Sequence, residues 1–455
     1  MLFIFQRFVL SRFFISRTNM DAAKTRKKYF SRSDVKTLAL SSLGGTLEFY
    51  DFIIFVFFAK YIGANFFPPH LSEFWQQINT YGTFAAGYLA RPLGGIVMAH
   101  FGDKFGRKNM FMLSIVLMVI PTFAMAFVPT FETIGYGAPI FLLTVRVFQG
   151  IAIGGELPGA WVFVREHSQE AHKGAYIGLL TAAVVGGILL GSIVALFMNK
   201  LYAPAQLQEW AWRVPFFIGG VFGIFSIYIR RYLSETPTFL QMQSEQSIAK
   251  FPLKIVLKEA KTGVVISMLV TWMLTVCVVG MILLMPNFSV AITKYDVITN
   301  TYIQMAGIVF MCIGCVCAGC LSDHFGISNV CAFFSIGFAV VASFYFYNVY
   351  HLHNFYLLPA VYVLCCFFAG VMNFTPLIMT EIFPAKIRFS GLSFSYNISY
   401  AASGFVTPII ITALHKVSFE AQAGADLALK LTNAYYFITI PVLGLLCAFL
   451  VRNKM

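Results

Sequence analysis

The chain has 455 residues, of which 59% are hydrophobic and only 11% charged, with a mean hydropathy of +0.77 and a formal net charge of +13. Soluble domains carry about 25% charged residues, so the composition excludes a soluble enzyme. With 17% aromatic residues and no strand-type alternation, it also argues against an outer-membrane barrel and for an all-α polytopic membrane protein. The positive excess then belongs to loops on one side of a bilayer, and no nucleic-acid partner is expected.

Residues 1–37 form a basic segment containing Arg7, Arg12, Arg17, Lys24, Arg26, Lys27, Lys28, Arg32 and Lys36. Its apolar start, residues 1–10, is interrupted by Arg7 and too short to span, and no cleavage site marks a signal peptide. Either it lies flat on the inner leaflet, or Met20 is the natural start and residues 1–19 are extra. Apolar runs of spanning length, about 20 residues each, follow near 38–62, 79–101, 109–129, 138–165, 173–199, 211–233, 262–292, 299–321, 329–349, 355–380, 388–414 and 431–452. That predicts about twelve transmembrane helices.

Lys and Arg concentrate in the N-terminal segment, the 102–108, 165–173 and 381–388 turns, the 230–261 connection and the C-terminus. The positive-inside rule then places both termini in the cytoplasm. The longest connection, 234–261, divides the chain into six-helix bundles at 38–233 and 262–452, followed by a cytoplasmic tail at 453–455.

The two halves share a mark. Asp103, Phe105, Gly106 and Asn109 recur at a constant offset of 220 as Asp323, Phe325, Gly326 and Asn329 (323 − 103 = 220), while His324, Ile327 and Ser328 replace Lys104, Arg107 and Lys108. A repeated six-helix unit is the pattern of a transporter with its solute held between the halves at mid-membrane. The first copy, residues 102–108, reads as a tight charged turn, with Gly102 and Gly106 permitting close packing.

Charges inside spans are costly and point to function. Glu48 and Asp51 are three apart, on one helical face. As buried acids they can carry a coupling proton or meet a cationic solute group; equally, they can be a structural pair. Arg91 and Arg146 are candidates to hold a solute carboxylate through the guanidinium fork, or to neutralise Glu48, Asp51 or Glu156. Gln149 follows Arg146 by three residues and belongs to the same candidate set. Glu156, after Gly154 and Gly155, can bind protons or bond across to another helix. Asn300, Gln304, Asn373, Thr375, Tyr396, Asn397 and Tyr400 supply polar groups to later spans, with Tyr396 and Asn397 taken as solute contacts. Cys312, Cys315, Cys317 and Cys320 share one apolar helix, which cannot wrap four thiolates around an ion, so no metal is expected. His351 and His353 read as solvated loop residues.

The chain resembles the major facilitator superfamily, and within it the metabolite:proton symporters of citrate, α-ketoglutarate, shikimate and proline/betaine. The resemblance rests on Gly45-Thr46-Leu47-Glu48-Phe49-Tyr50-Asp51-Phe52, Arg91-Pro92-Leu93-Gly94-Gly95, the 102–108 turn and Gln149-Gly150-Ile151-Ala152-Ile153-Gly154-Gly155-Glu156. It continues through Glu166-His167-Ser168, Glu235-Thr236-Pro237 and the stretch Glu381 to Gly391. It implies proton symport by alternating access, with no cofactor beyond the proton gradient, in a monomer of the bacterial inner membrane. The arginines favour a di- or tricarboxylate or other carboxylate-bearing solute; a zwitterionic osmolyte and an uncoupled facilitator are the alternatives. It further implies that Asp103 caps an eleventh helix beginning near Arg388. Arg107 and Arg165 would pair with Asp103, Glu166 or Glu381 to latch the cytoplasmic side. Because Asp323 lacks the basic neighbours, the first turn is expected to carry most of the latching.

Overall fold

The computed structural model describes residues 32–286, 295–352, 354–420 and 432–452. The basic segment before residue 32, including Met20, together with His353 and the tail 453–455, lies outside the described residues. Among the described residues the regular structure is helical, with no strand.

The long helices are α1 (Arg32–Phe57), α2 (Glu73–Phe105), α3 (Arg107–Met125), α4 (Gly137–His167), α5 (Lys173–Leu201) and α6 (Val214–Arg230). After two short linker helices, Pro237–Ser244 and Pro252–Glu259, come α7 (Lys261–Thr275), α8 (Val297–Phe325), α9 (Ile327–Tyr347), α10 (Leu358–Phe368), α11 (Arg388–Glu420) and α12 (Thr439–Arg452). A π-helical stretch, Val276–Leu284, extends α7, and α10 runs on through a 3-10 turn, Ala369–Asn373, into Phe374–Ile382. Eleven helices among the described residues are long and apolar enough to cross a membrane. The exception is α2, whose 33 residues include Gln76, Gln77, Asn79, Arg91, Asp103 and Lys104. At 1.5 Å per residue it is still about 50 Å long.

Two expectations needed correction. Residues 73–78 fall before the span that the sequence places at 79–101, yet they form the first turns of α2, with Glu73 in the first turn where the helix dipole favours an acid. The seven-residue turn at 102–108 shrinks to one residue. Helix α2 continues to Phe105, and Gly106 alone, at φ +113°, reverses the chain into α3. That backbone region is nearly closed to residues with a Cβ. Gly326, at φ +82°, makes the equivalent joint between α8 and α9, so the repeat seen in sequence is a repeat of backbone geometry.

Helix α8 opens with a polar cap. The Asp296 carboxylate accepts the Thr299 and Ile298 N–H groups, each at 3.2 Å. Those bonds, to Thr299 first, hold its carboxyl below the usual carboxylate range.

The packing repeats as well. Helix α2 packs against α4 in its own half and against α11 of the other, while α8 packs against α10 and against α5. The α2/α4 crossing is so close that a Cβ at Gly150 would overlap the Gly87 carbonyl, and one at Gly154 the Arg91 carbonyl. Without a strong hydrophobic drive between helices in lipid, such small-residue contacts hold the bundle. Gly150→Leu is therefore expected to abolish a monodisperse peak in detergent size-exclusion chromatography. Gly82→Leu on α2, with open space around it, should elute like the parent protein.

Candidate functional site

Glu48 and Asp51 of α1, Arg91 of α2, and Arg146 and Gln149 of α4 come together around one cavity of about 450 Å³, its open mouth included. Phe49, Gly87, Tyr88, Gly150, Ile153 and Tyr400 complete its lining. The periodicity of α1 and α4 brings these groups together, since Glu48/Asp51 and Arg146/Gln149 are each three apart and share a helical face.

The charges sort into two pairs. Arg146 Nη1 lies 3.3 Å from Asp51 Oδ2, and its guanidinium centre is 3.7 Å from the centre of the Phe55 ring. Asp51 also accepts from Gln149 Nε2 and Thr122 Oγ1, each at 3.0 Å. Arg91 Nη2 is 3.7 Å from Glu48 Oε1, a looser contact. The Arg91 guanidinium lies 4.4 Å from the Tyr400 ring centre, 5.5 Å from that of Tyr396 and 5.6 Å from that of Tyr88. Its Nε donates to Asn397 Oδ1 at 3.5 Å. Two carboxylates and two guanidiniums face one space, so their formal charges cancel.

Tyr396 and Asn397 sit beside this cavity, on the α11 face that packs into α2 and α4. Asn397 Nδ2 donates to the Gly154 carbonyl at 2.7 Å, and Ser393 Oγ to the Gly95 carbonyl at 3.0 Å. Tyr396 meets Trp161 edge-on at 4.9 Å. These contacts pack α11 against α2 and α4 beside the cavity.

Glu156 stands apart from the cavity. It pairs with Arg230 at 2.7 Å and accepts from Ser114, and the side chains of Glu156 and Arg230 are both 0% exposed. Arg230 also donates to the Leu40 and Ser41 carbonyls at 3.0 Å. This enclosed network ties α1, α3, α4 and α6 together and leaves Glu156 no open side toward a solute. The sequence offers Arg91 and Arg146 as partners for Glu156, but the structure gives it Arg230, 74 residues away and placed among loop charges by sequence.

A second charged cluster occupies the face of the 102–108 region. Asp103 Oδ2 accepts the Ser390 N–H at 2.8 Å, at the start of α11. Gly102 gives Phe389 room to reach this joint. Arg107 lies 3.3 Å from Asp103 and 3.1 Å from Glu166, and donates to the Ala385 carbonyl at 2.8 Å. Arg388 is 3.3 Å from Glu166, Arg165 is 2.5 Å from Glu381, and Lys173 is 2.6 Å from Glu381. Asp323 accepts the Gly174 and Ala175 N–H groups at 2.7 and 2.9 Å, at the start of α5. Each repeat thus caps a helix of the opposite half. The expected asymmetry is absent from the capping and survives only in the ion pairs, since Ile327 stands where Arg107 would be.

Sequence reasoning gave no role to Glu235. Its carboxylate accepts the Arg107 N–H at 3.1 Å and the Lys108 N–H at 3.1 Å, capping α3 beside Gly106. Thr236 Oγ1 donates to Glu166 at 2.6 Å. Both residues belong to a motif noted in the sequence, but its spacing from residue 107 gave no hint of contact. Tyr88 and Trp161 carried no distinguishing signal among so many aromatics.

A family model described as sugar (and other) transporter matches residues 37–263. The proline/betaine transporter of Salmonella typhimurium (strain LT2) is 32% identical over 435 residues, covering 90% of this chain and 82% of that one. The putative proline/betaine transporter of Staphylococcus aureus (strain COL) is 30% identical over 427 residues, covering 90% and 86%. The proton:xylose symporter XylE bound to 6-bromo-6-deoxy-D-glucose superposes with a TM-score of 0.76 at 16% identity, covering 92% of this chain and 95% of that one. XylE from E. coli in an inward open conformation gives 0.61 at 17% identity, covering 92% and 95%. Fold and site define a multi-pass membrane transporter and not an enzyme. The chain belongs to the major facilitator superfamily, in the family of the proline/betaine transporters.

The buried pairs differ from surface ones in their expected cost. Arg230→Gln should destabilise the detergent-solubilised protein by about 3–5 kcal/mol by leaving Glu156 unpaired. Lys60→Gln, which removes an exposed pair with Glu73, should change it by about 0–1 kcal/mol. Denaturant or thermal melting curves compare the two directly.

Proposed function

We propose that the protein imports a small zwitterion of the proline/betaine type together with protons, by alternating access. The observation that carries this reading is the balanced charge of the cavity, taken with relatives that are proline/betaine transporters. The sequence favoured a di- or tricarboxylate. Such a solute would bring uncompensated negative charge to arginines already matched by Glu48 and Asp51, whereas a zwitterion adds no net charge. Its carboxylate can replace Glu48 at Arg91, whose 3.7 Å contact is the looser of the two pairs. Its ammonium group can take the freed Glu48 and the tyrosine faces of Tyr88 and Tyr400, which suit a quaternary cation.

Asp51 is the preferred proton carrier. Its partners Arg146, Gln149 and Thr122 all lie in the first half, so protonation can loosen Arg146 without first opening the contact between halves. The bundles 38–233 and 262–452 rock about the linker 234–261, and the Asp103 and Asp323 caps hold one face shut. Positive-inside charge makes that face cytoplasmic, which places both termini in the cytoplasm, in a bacterial inner membrane. The protein acts as a monomer, with the proton gradient as its energy source.

The test is uptake into proteoliposomes under an imposed pH gradient, with radiolabelled proline, betaine, citrate, shikimate and xylose. Proline or betaine should accumulate uphill, and a protonophore should abolish that accumulation. Uphill citrate uptake with no proline or betaine uptake would overturn the zwitterion reading, and gradient-independent uptake would overturn coupling. Asp51→Asn should retain exchange but lose uphill accumulation; uphill, pH-driven uptake in that variant removes Asp51 as carrier. Asp103→Ala and Asp323→Ala should both slow uptake, the former by about tenfold or more because it also unpairs the buried Arg107. Full activity in both would remove the latch.

A further inference from the structure

The linker helix Pro252–Glu259 has two distinct faces. Pro252 and Val256 are buried, and the helix packs against α11, the turn Ala385–Ile387, α7 and α2. The opposite face carries Lys254, Leu257, Lys258 and, just past the helix, Lys261, all exposed. Lys254, Leu257 and Lys258 recur at i, i+3 and i+4, a single stripe within the helix, and Lys261 follows it across the break at Ala260. Lys250 and Phe251 extend it at the N-terminal end, with Phe251 66% and Leu257 46% exposed. Glu259 is the only acid between residues 250 and 261.

The height of this stripe is set by the chain. Only Ala260 separates the helix from α7, a membrane-crossing helix that starts at Lys261. The helix therefore lies where α7 enters the bilayer, at headgroup level. A face of lysines with two large exposed apolar side chains, held at that level, combines the two attractions of an interfacial segment: burial of apolar tips and charge attraction to anionic lipid.

We propose that this face, Lys250, Phe251, Lys254, Leu257, Lys258 and Lys261, binds anionic phospholipid headgroups of the bilayer in which the protein sits. The lysines meet the phosphates, and Phe251 and Leu257 enter the acyl boundary. Because the same helix packs against α11, the turn before it and α2, the lipid holds the linker against the elements that carry Ser390 and Asp103. Anionic lipid thereby steadies the closed latch, whatever the solute.

Hydrogen–deuterium exchange on the full chain in nanodiscs tests this. The compared membranes are phosphatidylcholine alone and phosphatidylcholine with phosphatidylglycerol. Amides of 252–259 should exchange several-fold more slowly with phosphatidylglycerol, and high salt should erase the difference. Each lysine replaced by glutamine should weaken the effect by roughly fivefold at most. The quadruple variant K250Q/K254Q/K258Q/K261Q should show equal exchange in both membranes while eluting as a monodisperse protein. Equal exchange of the parent protein in both membranes, or slowing that survives the quadruple variant, would overturn the proposal.

Discussion

The first N–H groups of a helix have no partner within that helix. In this transporter two such sets are satisfied across the divide between halves. Asp103 reaches the start of α11 and Asp323 the start of α5. Everything else on that face depends on these two caps. They set the distance between α2 and α11 and between α8 and α5, and so bring Arg107, Glu166, Arg388, Arg165 and Glu381 within ion-pairing reach. A cap of this kind suits a moving part. When it opens, both the carboxylate and the helix terminus are solvated by water, so opening leaves no polar group stranded in apolar surroundings.

The charge arrangement divides the same way between fixed and changeable. Glu156 and Arg230 are sealed, with several bonds each and no exposed surface, and separating them would strand a charge in apolar surroundings. Arg91 has one long contact to Glu48 and rests mainly on aromatic faces. A guanidinium held in that way can change partners at small cost. Asp51 and Arg146 lie between these extremes, tightly bonded but bordering the cavity. The first pair builds the bundle, and the other two are the ones that the proposed cycle uses.

Much of this was legible in the sequence. Span lengths, loop charge and the offset of 220 give the helix count and the two-fold plan, because they depend only on local composition and regular repetition. The cavity acids and arginines stand out because charge within a span is rare. What the sequence hid depends on long-range pairing. Arg230 is the partner of Glu156 and Glu235 is the cap of α3, yet each sits among ordinary loop charges. The polar start of α2 read as loop because hydropathy registers side chains and not backbone bonding. The missing basic residues near Asp323 register in the ion pairs, where Ile327 has no counterpart to the contacts of Arg107, but they carry no information on capping, which uses backbone N–H groups that every residue but proline supplies.

In the proposed cycle the two caps hold one face closed, and solute and protons release it. The distance across that face, between nitroxide labels at Lys104→Cys on α2 and Lys386→Cys before α11, measures it by pulsed electron resonance. Both positions are exposed. A single short distance is predicted for the protein without solute at alkaline pH, with a second, longer population appearing when proline or betaine is added at acid pH. A distribution that stays the same under all these conditions, in protein that still transports, would contradict the account.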